Sequence, residues 1–400
     1  MPTPIPKRRV VVTGLGVASC CGTGTDAFFA GLCGPAPEGP HTVVGLDPSA
    51  YFDAKEARQT DRFAQLSIAT AAMALADAGD VGADPLRSGV VFGTGVGGLE
   101  TLQEQIGVLL DKGPRRVSPR LVPMMMANAG AAGISMRFGW KGPCETITTA
   151  CAAGAHSIGN AYRLIAYGRC DAVITGGAEA AMTPVGGRPA IGEVAFANMT
   201  ALSTSGRSRP FDRRRDGFVL AEGAAALVLE ELDHARARGA HIHAEILGAA
   251  STVDAHHITA PDPDGAGAMA CMELALADAG LTPALVAHVN AHGTSTPLND
   301  LAEAQAIRKV FGTPGPPVTS IKGVTGHALG AAGALEAVAS VLTIDRRQIP
   351  PTAGLEELDP EIDLDVVVGR PRPFEPGPVL SNSLGFGGHN GCVVVGPVSP

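Results

Sequence analysis

The chain has 400 residues, 45% hydrophobic, 17% charged and only 4% aromatic, enough for one large unit or two fused halves with a mainly aliphatic core. A net charge of −9 argues against broad nucleic-acid binding, and there is no run of about 20 continuous apolar residues to span a membrane. The eight cysteines (20, 21, 33, 144, 151, 170, 271 and 392) form no CxxC pair and no Cys/His cluster, so they read as reduced thiols of a cytoplasmic protein.

In chain order, "RRVVVTGLG" reads as a first buried strand rather than a signal peptide, because Thr13, Gly14 and Gly16 interrupt its apolar run. Residues 34–50 have no periodicity and read as a surface loop. "RFAQLSIATAAMALADAG" reads as a helix stopped by Gly79, and "SGVVFGTG" as a strand. "CETITT" is strand-like and leads through a turn into the helix "CAAGAHSIGNAYRLIAYG". "CDAVITGGAE" follows as a strand, and residues 183–200 as a long excursion between layers. Beyond them come strand "GAAALVLEEL", helix "GAMACMELALADAG" and strand "VAHVNAHG". Last are "PVTSIKGVTG", the helix "HALGAAGALEAVASVL" and the closing strand "NGCVVVG". This alternation indicates α/β layers.

The strand–turn–helix pattern around residue 151 is echoed around residue 327. Ile158, Ala161, Tyr162 and Ile165 share one helix face, as do Leu335, Val338, Ala339 and Leu342. The echo reads either as two ordinary buried helices or as an internal duplication with reactive groups at corresponding helix starts.

Four stretches can carry chemistry. Cys151 in "TTACAAGAH" sits at a strand-to-helix turn, where the helix dipole favours a thiolate and unpaired N–H groups can stabilise an oxyanion; the alternative is a small packing residue. In "VNAHGTSTPLND", His292 follows a strand and precedes Thr294, Ser295 and Thr296: an acid–base group with hydroxyls for a substrate arm, or a capped turn. "SIKGVTGHALGAAGALEA" holds Lys322, His327 and Glu336; a histidine at a helix start is kept neutral by the dipole, and the lysine either anchors a carboxylate or lies on a solvated turn. "SNSLGFGGHNG" surrounds Phe386 with glycines, as a β-turn or as a backbone that approaches a ligand and offers the Phe386 N–H.

The order of these motifs, with "GPRRVSPRLVP" and "SRPFDRRRDGFVLAEGAAALVLEE", resembles the elongating β-ketoacyl-[acyl-carrier-protein] synthases of the thiolase-like superfamily over nearly the whole chain. It is closest to synthase II and to type II polyketide ketosynthases. The resemblance implies a five-layer αβαβα sandwich of two similar halves, residues 1–245 with Cys151 and 246–400 with His292 and His327. It implies that acyl chains pass to Cys151, with oxyanion donors at Cys151 and Phe386, and that His292 and His327 stabilise the enolate formed when malonyl-carrier protein loses carbon dioxide. Lys322 is expected to order His327 and the local electrostatics.

By the same resemblance, Thr294 and Thr296 bind the pantetheine arm, Phe196 lines the acyl pocket, and Arg115 and Arg116 dock an acidic carrier protein, with Arg58 and Arg62 beside them. Asn290, Ala291, Glu336, Ser381 and Asn382 match a structural monovalent-cation site of some relatives. No redox or metal cofactor is implied for the reaction; phosphopantetheine arrives on the carrier protein. The chain is expected to form a homodimer, or a heterodimer with a chain-length-factor-like subunit. The 185–200 segment looks longer than in typical relatives, and Met124–Met126 is expected to line either the acyl tunnel or the dimer interface.

Overall fold

The computed structural model describes residues 7–37 and 39–399; the first six residues of the basic opening stretch and Glu38 of the expected loop lie outside the described residues. The strands that carry the fold are β1 (Val10–Ser19), β2 (Ser88–Gly93), β3 (Cys144–Ile147), β4 (Ala172–Glu179) and β5 (Gly223–Glu231), then β6 (Ala244–Val253), β7 (His288–Asn290), β8 (Val318–Thr319), β9 (Val379–Gly385) and β10 (His389–Gly396). They hydrogen-bond in the order β3-β2-β4-β5-β1-β6-β10-β9-β7-β8.

Read outward from the antiparallel β1–β6 pair, each half repeats one order: first strand, fifth, fourth, second, third. The pairing senses repeat as well. The three outer strands of each half run parallel, and the two inner pairings are antiparallel. This is the duplication that the sequence echo suggested. The expected 245/246 boundary falls inside β6, where the repeated order begins.

Helix α1 (Arg62–Ala78) starts at Asp61, whose side chain accepts the Phe63 N–H, and it covers the outer face of β1, β4 and β5. Helices α2 (Ala153–Ala166) and α6 (Ala332–Arg346) lie between the two half-sheets, and α6 is buried on every side from Ala332 to Ile344. That burial explains why α6 is apolar over most of its surface, while its buried Glu336, Ser340 and Thr343 are hydrogen-bonded in the core. Helices α4 (Ala266–Ala279) and α5 (Pro297–Phe311) cover the far face. The result is five layers: helix, sheet, helices, sheet, helices. The central helices touch backbone to backbone, since a Cβ on Gly154 would lie 2.6 Å from Ala334 N, and one on Gly333 would lie 2.6 Å from Ala155 N.

Two loop expectations change. Within 34–50, His41 is buried and forms a bridge with Ala221, so part of that segment is core lining rather than surface. The 183–200 excursion contains its own helix, α3 (Ile191–Asn198).

Candidate active site

The nucleophile's position follows from the turn between β3 and α2. Ala150 takes a left-handed conformation (φ +49°), and a short 3-10 turn, Ala150–Ala152, leads into the helix. This aims the buried Cys151 side chain into a cavity of about 570 Å³. His327 Nε2 lies 3.0 Å from Cys151 Sγ. The His327 backbone is pinned by its N–H donating to Val219 O at 2.7 Å and its carbonyl accepting from Ala221 N at 3.1 Å. Phe218 packs edge-on against the His327 ring at 5.2 Å between centroids.

His292 arrives from the end of β7. Its N–H and that of Gly293 each donate to the Glu303 carboxylate at 2.7 Å, fixing the turn. The His292 and His327 rings stand nearly perpendicular, 5.3 Å apart. The buried Lys322 ammonium lies 3.1 Å from His292 Nδ1 and 2.6 Å from His292 O, and pairs with Glu336. An ammonium only donates, so Nδ1 accepts and the His292 proton sits on Nε2. Lys322 makes no hydrogen bond to His327 among the described residues. The expectation that it orders His327 is corrected: it orients His292 by contact and acts on His327 through charge.

The electrostatics correct a second expectation. The Cys151 thiol is pushed up to about 12, chiefly by burial, with Lys322 and the Phe386 backbone N–H pulling the other way. Desolvation outweighs the pull of Lys322 and of the Phe386 N–H, and the resting group is a thiol rather than a thiolate. Burial, then the Lys322 charge, hold both His292 and His327 well below the usual histidine range. His327 is neutral as expected, but for this reason rather than the dipole, since it lies five residues ahead of α6.

Thr294 and Thr296 line the same cavity with their hydroxyls 2.9 Å apart, and Phe386 and Phe196 line it too. Phe196 sits on α3, 5.3 Å from Phe218 and 6.3 Å from Phe386 between ring centroids. His156 is not part of the site: Nδ1 pairs with Thr149 Oγ1 at 2.8 Å and Nε2 with Asn390 O at 3.0 Å. Arg115 and Arg116 project from an exposed turn away from the cavity lining. Arg58 is exposed as well, but Arg62 is half-buried against Glu222 at 2.9 Å, which takes it out of the expected docking group.

The cation expected from the resemblance meets a suitable environment. Ser381 pairs with Asn290 across β9 and β7, and Asn290, Ala291, Glu336, Ser381 and Asn382 are all buried. Asn290 Oδ1 is a buried oxygen with no hydrogen-bond partner, a group that a monovalent cation would satisfy.

Residues 44–235 match the family model "Beta-ketoacyl synthase, N-terminal domain", and residues 243–356 match "Beta-ketoacyl synthase, C-terminal domain". The chain is 44% identical over 412 residues to 3-oxoacyl-[acyl-carrier-protein] synthase 2 of Synechocystis sp., covering 96% of this chain and 97% of that protein. The chain belongs to the β-ketoacyl synthase family. This β-ketoacyl synthase also superposes on a chain of the ishigamide ketosynthase/chain length factor, with a TM-score of 0.89 and 34% identity, covering 98% of this chain and all of that one (100%). A third relative is a chain from a type II PKS acyl-carrier protein in complex with its ketosynthase bound to the hexaketide, with a TM-score of 0.87, 31% identity and coverage of 98% and 100%.

Sequence reasoning missed three functional supports of this β-ketoacyl synthase. Glu303 braces the His292 turn, Phe218 walls His327, and Glu179 ties together the loops at Gly95 and Gly330. Glu303 was within reach of the sequence, since Thr296–Pro297 is a helix-start signal that places residue 303 on the buried face of α5. Nothing local marks the other two.

Proposed function

We propose that the protein is an elongating 3-oxoacyl-[acyl-carrier-protein] synthase, serving fatty-acid or type II polyketide chain growth. The observation that carries this reading is the Cys151–His327 contact of 3.0 Å in a cavity shared with a lysine-oriented His292.

The reaction follows from that geometry. As the acyl thioester enters, the Cys151 proton passes to His327 Nε2 while sulfur attacks the carbonyl, because the resting thiol needs a base at contact distance. The Cys151 and Phe386 N–H groups stabilise the tetrahedral oxyanion, and the proton leaves with the departing pantetheine thiol. Malonyl thioester then binds with Thr294 and Thr296 along its arm. Its C–C bond to the carboxylate breaks, carbon dioxide leaves, and the electron pair forms an enolate. The His292 Nε2–H donates to the enolate oxygen, and His327 does so in its Nε2–H tautomer, available once Cys151 is acylated and needs no base. The enolate carbon attacks the acyl-Cys151 carbonyl, the C–S bond breaks, and the 3-oxoacyl product leaves two carbons longer. The sequence is redox-neutral, and the only prosthetic arm in it comes with the carrier protein. A monovalent cation held by Asn290, Ala291, Glu336, Ser381 and Asn382 would balance the buried acidic charge there.

The carrier protein docks at the Arg115–Arg116 turn in this reading, and cytoplasmic placement goes with it. Among the described residues no helix is long and apolar enough to cross a membrane. A dimer is supported by the exposed edge of β3 and by the large apolar groups Leu110, Val122, Met126 and Met136 left uncovered. The dimer is a homodimer or a pair with a chain-length-factor-like subunit, the second arrangement being named for the ishigamide relative.

The experiment is incubation with acyl- and malonyl-carrier protein, followed by mass analysis of the carrier protein. The reading predicts a 3-oxoacyl chain two carbons longer and release of one carbon dioxide per turnover. Carbon dioxide release without chain extension, or neither, contradicts it.

A further inference from the structure

The turn that carries Cys151 has a twin in the second half. Leu329–Ala331 forms the same short 3-10 turn ahead of α6 as Ala150–Ala152 forms ahead of α2. The first residue of each turn is left-handed, with φ +49° at Ala150 and +43° at Leu329. Gly330 therefore occupies the place of Cys151. A Cβ on Gly330 would lie 2.2 Å from Gly95 N, so the twin has no room for a side chain.

The backbone amide of the twin is not free. Glu179, fully buried at the end of β4, accepts the Gly330 N–H at 3.0 Å and the Gly95 N–H at 2.6 Å on Oε2. Its Oε1 accepts the Thr94 hydroxyl at 2.9 Å and the Val96 N–H at 3.4 Å. Burial raises this carboxyl to about 7, while three backbone N–H groups that can only donate, with the Thr94 hydroxyl donating beside them, favour its ionised form. In the other half, β9 takes the place of β4 and ends in Gly385. A Cβ there would lie 3.1 Å from Cys151 N, so the strand that fills one hole with a carboxylate leaves the other open to the cavity.

We infer that Glu179 is a built-in anion in the disused twin of the oxyanion hole, and that it is a positioning residue for the active one. It ties Gly330, three residues beyond His327, to the Gly95–Val96 wall that faces Cys151. The catalytic consequence rests on the synthase reading above; the filled hole itself does not.

Chemical rescue tests it. Condensation by Glu179→Ala is expected to fall by about 10²-fold, and formate is expected to restore it saturably by about tenfold, because formate can re-enter the N–H hole. Formamide, neutral and of similar size, restores nothing. Glu179→Gln fills the hole without the charge, so it stays impaired and gains nothing from formate. Without any substrate, formate raises the melting temperature of Glu179→Ala by several degrees more than that of the wild type. If Glu179→Ala does not accumulate as folded protein, refolding in formate is expected to recover it. Wild-type rates in Glu179→Ala or Glu179→Gln overturn the inference. So does a Glu179→Ala protein whose activity and melting, or whose refolding, ignore formate. Wild-type inactivity combined with formate-dependent melting of the variant would overturn the synthase reading alone.

Discussion

The Lys322 ammonium stands 3.1 Å from His292 Nδ1 and beside the Glu336 carboxylate, wholly inside the protein. One buried cation thus sets the tautomer of one histidine, disfavours charge on both, and pulls the Cys151 thiol downward against burial. It links stability to catalysis in a way that a single substitution cannot separate and a double one can.

Lys322→Met leaves the Glu336 carboxylate buried and unpaired, and is expected to cost about 3–5 kcal/mol in denaturant unfolding. Lys322→Met/Glu336→Gln removes both charges and is expected to recover most of that loss. Decarboxylation of malonyl-carrier protein stays low in both, because His292 no longer has an ammonium fixing its proton on Nε2. Recovery of activity along with stability would contradict the assigned role.

The thiol's environment gives a pH prediction with a definite sign. The Cys151 pKa lies near 12 when folded, above its ordinary value of 9.0, so the folded state holds the proton more tightly. Its contribution to stability is complete below pH 9.0 and is lost between there and about 12, at about 1.4 kcal/mol per pH unit. Subtracting the unfolding profile of Cys151→Ala from that of the wild type isolates this slope. In the same way, alkylation of Cys151 by iodoacetamide is expected to rise steadily through pH 9 without a plateau. A plateau near pH 7 would show a dipole-lowered thiolate instead.

Gly385, at the place of Glu179, and Gly330, at the place of Cys151, both lie against backbone but are expected to respond differently. At Gly385 an added Cβ meets Thr149 O, Cys151 N and Ala152 N at 3.0–3.1 Å, which small shifts can accommodate. Gly385→Ala is therefore expected to melt within a few degrees of the wild type while acylation of Cys151 falls about 10²-fold, because the methyl group covers the oxyanion donor. Gly330→Ala, with its 2.2 Å clash against backbone, is expected not to yield folded protein in circular dichroism.

The docking turn separates carrier-protein recognition from chemistry. Arg115→Glu/Arg116→Glu is expected to raise KM for acyl-carrier protein about tenfold and to flatten its dependence on salt. Turnover of a small pantetheine thioester is expected to stay unchanged. Equal losses on both substrates would place the arginines elsewhere in the mechanism.

Much of this architecture was legible in the sequence because the chemistry sits on short, strongly patterned turns. Cys151 among small residues, His292 after a strand, and Phe386 amid glycines each announced a strand end, and the order of the motifs announced the family. What escaped were relationships that only the packed halves create. Lys322 and His292 are 30 residues apart and meet only because β7 and β8 lie side by side. Strand β9, "VLSNSLG", hides its identity behind buried serines and an asparagine that satisfy partners across the core, such as Asn382 with Glu303. The dipole argument for Cys151 left out the cost of desolvation at a buried turn, which raises the thiol.

The central claim is that Cys151 receives the acyl group. Intact-mass measurement after incubation with a series of acyl-carrier proteins tests it most directly. Wild type is expected to gain the mass of one acyl chain per subunit, mapped to the peptide containing Cys151. Cys151→Ala is expected to gain none. Equal labelling of wild type and Cys151→Ala would contradict the account.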